Sequence, residues 1–268
     1  MELYKSGDSS ATAAIKRQRM KRSLFFLLPL VLCAALRLPA QNTIFLTEGK
    51  IEFEKKINLY DQMQEENETW SDLMKKAIPK FRTDYFELLF TKNKTLYQPG
   101  RPNPDNNKIQ FDEQPAQDNR VYSDLEHEKS ISQKKVFEQV FLVQDSTRKI
   151  QWKITDETRT IAGFTCRRAN AIIMDSVYVV AFYTDEITST GGPESFSGLP
   201  GMILGVAVPH QHITWFATKV EATPVAETEF KIPSKGKKTT GKELKATLGE
   251  RMKEWGKQGK RILLVSMI

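Results

Sequence analysis

This chain has few of the residues that carry most enzyme chemistry. Its 268 residues include two cysteines and three histidines. Cys33 falls in an apolar run near the N-terminus, so Cys166 has no disulfide partner in the rest of the chain, and no C-x-x-C pair exists for redox or zinc chemistry. No two histidines flank a glutamate at helical spacing, which excludes the H-E-x-x-H zinc-hydrolase pattern. Ser195 and Ser197 lie near glycines, but the G-x-S-x-G spacing of a strained nucleophile turn is missing. There is no phosphate loop, and no G-x-G-x-x-G follows a strand. The longest apolar run, residues 23–36, contains Pro29, stops at Arg37 and is too short to cross a bilayer.

That run has a different reading. Met20-Lys21-Arg22 supplies a positive start, SLFFLLPLVLCAAL an apolar centre, and Leu38-Pro39-Ala40 a small residue ahead of polar Gln41. The pattern predicts a secretory signal peptide over residues 1–40, cleaved after Ala40, with translation starting at Met20 and residues 1–19 upstream of it. Leu32 stands where a lipid-attachment site needs a small residue before Cys33, so a lipoprotein is not expected. Of the net +7, residues 1–40 account for +5, from seven Lys/Arg and two Asp/Glu. The basic balance therefore reports targeting and not nucleic acid, which is not an expected partner. A local excess remains at residues 232–268, with ten Lys/Arg against three Asp/Glu, read first as a solvated face.

The most informative stretch is Gly192-Pro-Glu-Ser-Phe-Ser-Gly-Leu-Pro-Gly-Met-Ile-Leu-Gly205. Leu199 precedes a proline and is pushed to extended geometry. Pro200 and Gly201 suit the two central positions of a type II turn. Met202 to Val208 is apolar without alternation, as in a strand covered on both faces. Pro209 to Gln211 then forms a turn, and His212 to Val220 returns as a strand.

The remainder reads as short strands: 44–60, a hairpin of 85–90 with 95–97, 136–143, 150–154, 165–174 and 177–184, with a tight turn at Met174-Asp175-Ser176. Residues 66–79 have helical spacing in Trp70, Leu73, Met74 and Ala77. Thr240-Gly-Lys-Glu243 is a capping box that opens a helix over about 240–256, followed by a last strand at 262–265. Residues 98–119, rich in Pro, Asn, Asp and Gln, form a long surface loop. The expected fold is mainly β: one domain over residues 41–268, built on a single antiparallel, strongly curved or barrel-like sheet with two accessory helices.

Three sets of residues are candidates for function. Tyr183 with Gly192, Pro193, Glu194, Gly198, Leu199, Pro200 and Gly201 would border a ligand pocket, since shaped loops carry binding sites. Phe182, Trp215 and Phe216 lie beside that set as core aromatics or an aromatic lining. Cys166, His210 and His212 form a candidate copper or zinc set, because residues two apart on an extended segment point the same way; no other cofactor is expected. Asp185, Glu186 and Glu194 offer paired carboxylates for glycan hydrolysis.

The motif residues also carry a resemblance. Gly192-Pro193-Glu194, Phe196 and Gly198-Leu-Pro-Gly-Met-Ile203 resemble the signature of the GLPGLI family of exported bacterial proteins. Trp152-Lys-Ile-Thr-Asp-Glu157, Ile161-Ala-Gly-Phe-Thr-Cys166-Arg-Arg-Ala169 and Ala181-Phe-Tyr-Thr-Asp-Glu-Ile187 resemble its preceding blocks, in order, across nearly all of residues 43–268. Met202 and Phe182 depart from the usual leucine and tryptophan. The resemblance implies a Gram-negative host, a signal peptide, an uncharacterised function and a fold like the N-terminal β-rich domain of a bacterial peptide-N-glycosidase. It supplies no catalytic residues. The expectation is a non-enzymatic binding or accessory protein of the periplasm or cell surface, serving a small ligand or an envelope protein and associated with outer-membrane components. Metal handling and hydrolysis of glycans or peptides are the alternatives.

Overall fold

The computed structural model describes residues 45–64, 75–76, 78–108 and 115–268. From Ile44 to Ile268 the chain packs as one compact unit. Its centre is a twelve-stranded sheet in the order β12-β6-β5-β4-β3-β2-β1-β11-β10-β9-β8-β7. In chain order the strands are β1 (Gly49–Asn58), β2 (Phe81–Phe90), β3 (Lys94–Pro99), β4 (Arg120–Asp124), β5 (Lys129–Val136), β6 (Gln139–Ser146), β7 (Lys153–Ile161), β8 (Phe164–Ile173), β9 (Val177–Thr184), β10 (Met202–Val208), β11 (Ile213–Glu221) and β12 (Lys237–Thr239). Among the described residues the α-helices are α1 (Leu59–Gln64), α2 (Gly241–Arg251) and α3 (Gly256–Met267).

The mainly β expectation holds, with two corrections. The sheet is open, with β12 and β7 as its edges, so it is not a barrel. It is also mixed, because β12 pairs parallel to β6. Alternation on β1 shows how the core is laid down: Ile51, Phe53, Lys55 and Ile57 point inward, with half-buried residues between them. The register carries that inner face across neighbouring strands, from Ile51 to Leu88, Tyr97, Val121, Ser132 and Val143. β10 is buried almost throughout, as its unbroken apolar run requires.

Several boundaries differ from the sequence expectation. The run 136–143 is not one strand: β5 ends at Val136 and β6 begins at Gln139, with Phe137 at φ +53° in the turn between them. No Gly, Pro or Asn marks that turn. β7 runs over Lys153–Ile161 instead of 150–154, and it is nearly all exposed, as an edge strand can be. The expected opening strand 44–60 shortens to β1, because residues from Leu59 turn into α1. The expected helix at 66–79 falls largely outside the described residues.

At the C-terminal end the capping box forms as read. Thr240 Oγ1 accepts from the Glu243 N–H at 3.2 Å, and the Glu243 carboxylate accepts from the Thr240 N–H at 2.9 Å. Residues 262–265, expected as a strand, lie instead inside α3. A four-residue apolar run does not reveal its own period. What decides it is burial at Gly259, Ile262 and Ser266, the spacing of a helix face. Leu244, Leu248, Met252 and Ile262 pack on Val136, Phe141 and Val143, so α2 and α3 cover the inner face of β5 and β6.

Candidate functional site

The loop between β9 and β10 enters the inner side of the sheet. Gly191 lies against Thr95 of β3, so closely that a Cβ there would stand 2.5 Å from the threonine methyl. Phe196 and Leu199 are core residues, Phe196 meeting Trp215 edge-on at 6.1 Å. The turn at Leu199-Pro200-Gly201 is tighter than the type II turn expected. The Gly201 N–H donates to the Leu199 carbonyl at 2.7 Å, which is a three-residue γ-turn about Pro200. Gly201, at φ +144°, abuts the Thr184 backbone, where a Cβ would lie 2.0 Å from the carbonyl oxygen.

Glu194 is the loop's unusual residue. It takes φ +52° and is almost wholly buried. Its carboxylate lies 3.5 Å from Lys55 Nζ and accepts from Asn119 Nδ2 at 2.8 Å. Lys55 is an inward-facing lysine of β1, with its ammonium 5.4 Å from the Trp215 ring centre and 5.6 Å from that of Phe86. Phe86 stacks on Tyr97 at 4.7 Å. Burial, with Glu194 nearby, raises the Tyr97 hydroxyl well above its ordinary pKa. Among the described residues, Asn119 Oδ1 and Glu194 Oε1 are buried without a close hydrogen-bond partner, and Tyr97 Oη and Trp215 Nε1 beside them have none but each other. Such a concentration marks a polar chamber inside an apolar core, which sequence reading did not foresee.

A cavity of about 370 Å³ opens between the inner face of β4–β6 and the C-terminal segment. Ser123, Ser130, Ser132, Ser195, Ser197 and Ser266 line it, with Lys134, Asp145, Thr147, Arg148 and Lys149. Lys134 Nζ donates to the Ser266 carbonyl at 3.1 Å, Arg148 donates to the Met267 carbonyl, and Ser195 Oγ donates to the Ile268 carbonyl at 2.7 Å. The last two carbonyls of α3, which lack helical partners, are thereby satisfied, and the carboxyl of Ile268 that follows it is held as well. Burial draws the Lys134 ammonium down to about 8, against the pull of Glu194 in the other direction. Burial also lowers Arg148 from its usual value.

The sequence candidates distribute unevenly around this site. Ser195 and Ser197 of the motif line the cavity, whereas Tyr183, Gly192, Pro193, Leu199 and Gly201 are buried supports of the loop. Gly198 and Pro200 are exposed on its outer side. Phe182, Tyr183 and Trp215 are core aromatics. Lys134, Ser123, Ser132 and Arg148 were missed; the period-2 placement of Ser132 and Lys134 on one face of β5 was their only signal.

Cys166 is sealed within β8, and burial pushes its thiol up to about 12. His210 lies in a 3-10 turn and His212 follows it at φ +53°, so the two are not consecutive positions of one strand face. His210 borders a separate basic groove with Lys257, Lys260 and Arg261. Among the described residues no three His, Cys, Asp or Glu side chains are grouped to hold a metal ion. No helix among them is long and apolar enough to cross a membrane. Asp185 is exposed and Glu186 half-exposed.

The family described as "Protein of unknown function (Porph_ging)" matches residues 172–205, from the end of β8 through the motif loop into β10, which is compatible with a GLPGLI-type resemblance. No curated protein matches the chain. Among solved structures, PNGF-II in its P21 crystal form is similar at a TM-score of 0.49 and 14% identity, over 75% of this chain and 32% of that one. The C2 form gives 0.48 and 13%, over 82% and 33%. The chain thus spans about a third of the length of those structures.

Proposed function

We propose that this chain is an exported, GLPGLI-type binding or accessory protein of the Gram-negative envelope, without catalytic activity, and that its ligand enters the serine-lined cavity. The observation that carries this reading is that Ser195 and Ser197, the two serines of the motif loop, converge with the buried Lys134 on one cavity. Its volume falls within the range of small-ligand sites. The hydrogen-bonding groups around it are held by strands and by the capped helix end, so they are fixed before any ligand arrives. Export is supported by the charged, apolar and small-residue order of residues 20–40.

A bulky plug tests the cavity. Ser132→Trp should fold, because Ser132 borders empty space, and should abolish the thermal stabilisation that a library of envelope sugars, peptides and organic acids gives the parent. A parent that responds to nothing in such a library, or a plugged variant that responds equally, would overturn the reading. Export is tested by N-terminal sequencing of protein from the native envelope, where Gln41 is the expected first residue. Recovery in the cytoplasm with an intact leader would count against it.

A further inference from the structure

We infer that the cavity between β4–β6 and the C-terminal segment is an oxyanion site, built for a phosphate, sulfate or carboxylate group borne by a small ligand; this rests on the cavity being the binding site proposed above. The first reason is charge. Lys55 and Lys134 are both buried, and Glu194 is the buried carboxylate that faces them. Arg148 adds a partly buried cation at the same cavity. The interior therefore holds more positive than negative charge, and an uncompensated buried cation is costly. The Ile268 carboxyl, which accepts from Ser195 Oγ at 2.7 Å at the cavity wall, offsets one of these cations and leaves the balance positive. Asp145 lies exposed at the rim, its carboxylate accepting from the Ser146 and Gly241 N–H groups at 2.9 and 3.0 Å.

The second reason is the supply of donors. Lys134 uses one N–H on the Ser266 carbonyl and Arg148 uses one on Met267, which leaves two and four respectively. The hydroxyls of Ser123, Ser130, Ser132 and Ser197 line the same wall and make no hydrogen bond among the described residues. Ser123 and Ser130 are directly cross-strand, and Ser132 lies two residues along on the same face of β5. Short hydroxyl donors on a rigid sheet, backed by buried cations, suit a compact anion with several acceptor oxygens. Among the described residues no aromatic ring lines the cavity, so they give it no stacking surface of the kind a neutral sugar would use.

The test is calorimetric titration of the full chain with potassium phosphate, potassium sulfate and potassium acetate, each against potassium chloride at equal ionic strength. Saturable binding of at least one oxyanion is expected. The double variant Ser123→Ala/Ser132→Ala, which keeps both cations, should bind about tenfold more weakly or worse, since hydrogen bonds to a charged group are lost. Lys134→Met should abolish binding, and its cooperative unfolding would show that the loss is not a folding defect. No saturable effect beyond chloride, or serine variants that bind as well as the parent, overturns the oxyanion assignment. If a neutral disaccharide binds in the parent and Ser132→Trp blocks it while no oxyanion binds, the assignment fails and the cavity reading stands. If Ser132→Trp leaves every ligand's binding unchanged, the cavity reading fails as well.

Discussion

Lys55 of β1 and Glu194 of the motif loop face each other at 3.5 Å, each almost fully shielded from water. A lysine on the inner face of a strand that otherwise presents Ile51, Phe53 and Ile57 is tolerable only with such a partner. The pair also fixes the loop, because Glu194 adopts a left-handed backbone that a glutamate does not favour.

Removing one partner should therefore be worse than removing both. Lys55→Met leaves Glu194 buried without its counter-ion and should cost about 3–5 kcal/mol in urea unfolding. Adding Glu194→Gln to that variant should recover much of the loss, since the amide can still accept from Asn119. A single variant within about 0.5 kcal/mol of the parent would show that the pair is not what holds the loop.

Lys134 gives stability a distinctive pH dependence. Its folded pKa of about 8 lies below the ordinary 10.5, so between those values the unfolded chain binds the proton and the folded chain does not. Stability from this group should accordingly rise as pH climbs from about 8 to 10.5, by on the order of 3 kcal/mol. Comparing the parent with Lys134→Met at pH 7 and pH 10 isolates the contribution: the difference between the two proteins should shift in the parent's favour at the higher pH. A difference that stays constant would mean the ammonium is solvated.

Two glycines of the loop make contrasting demands. Gly201 combines φ +144° with a Thr184 carbonyl 2.0 Å from any added Cβ, so Gly201→Ala must displace main chain and should cost several kcal/mol. Gly198 has φ +90° but open space around it, and Gly198→Ala should cost only backbone strain, about 1–2 kcal/mol. Thermal unfolding of the two variants side by side should rank them in that order; equal losses would refute the packing account.

Cys166 should be inert while the protein is folded. Burial raises its thiol to about 12, so its thiolate is scarce near neutral pH. Thiol labelling at pH 8, mapped by peptide mass to separate it from Cys33, should mark Cys166 only when denaturant is present. Rapid native labelling would place the thiol at an accessible surface.

What was legible in the sequence followed local rules. The Thr240/Glu243 capping box, the β8–β9 turn at Met174-Asp175 and the buried β10 all declare themselves through turn chemistry, caps or an unbroken apolar run. Features set by tertiary position stayed hidden. β7 shows no apolar pattern because an edge strand need not have one, and Ile262–Val265 is helical because of what α3 packs against. The candidate site was half visible. The loop announced itself through its glycines and prolines, but Lys55, Asn119 and Lys134 come from distant segments, and only the sheet register brings them to Glu194.

The two ends of the sheet have a consequence for life at the concentrations of a crowded compartment. One end is β12, three residues long. The other is β7, exposed and studded with Lys153, Asp156, Glu157 and Arg159. Neither offers a long greasy rail on which a second chain could continue the ladder, so the twelve-stranded sheet is terminated on both sides by its own composition.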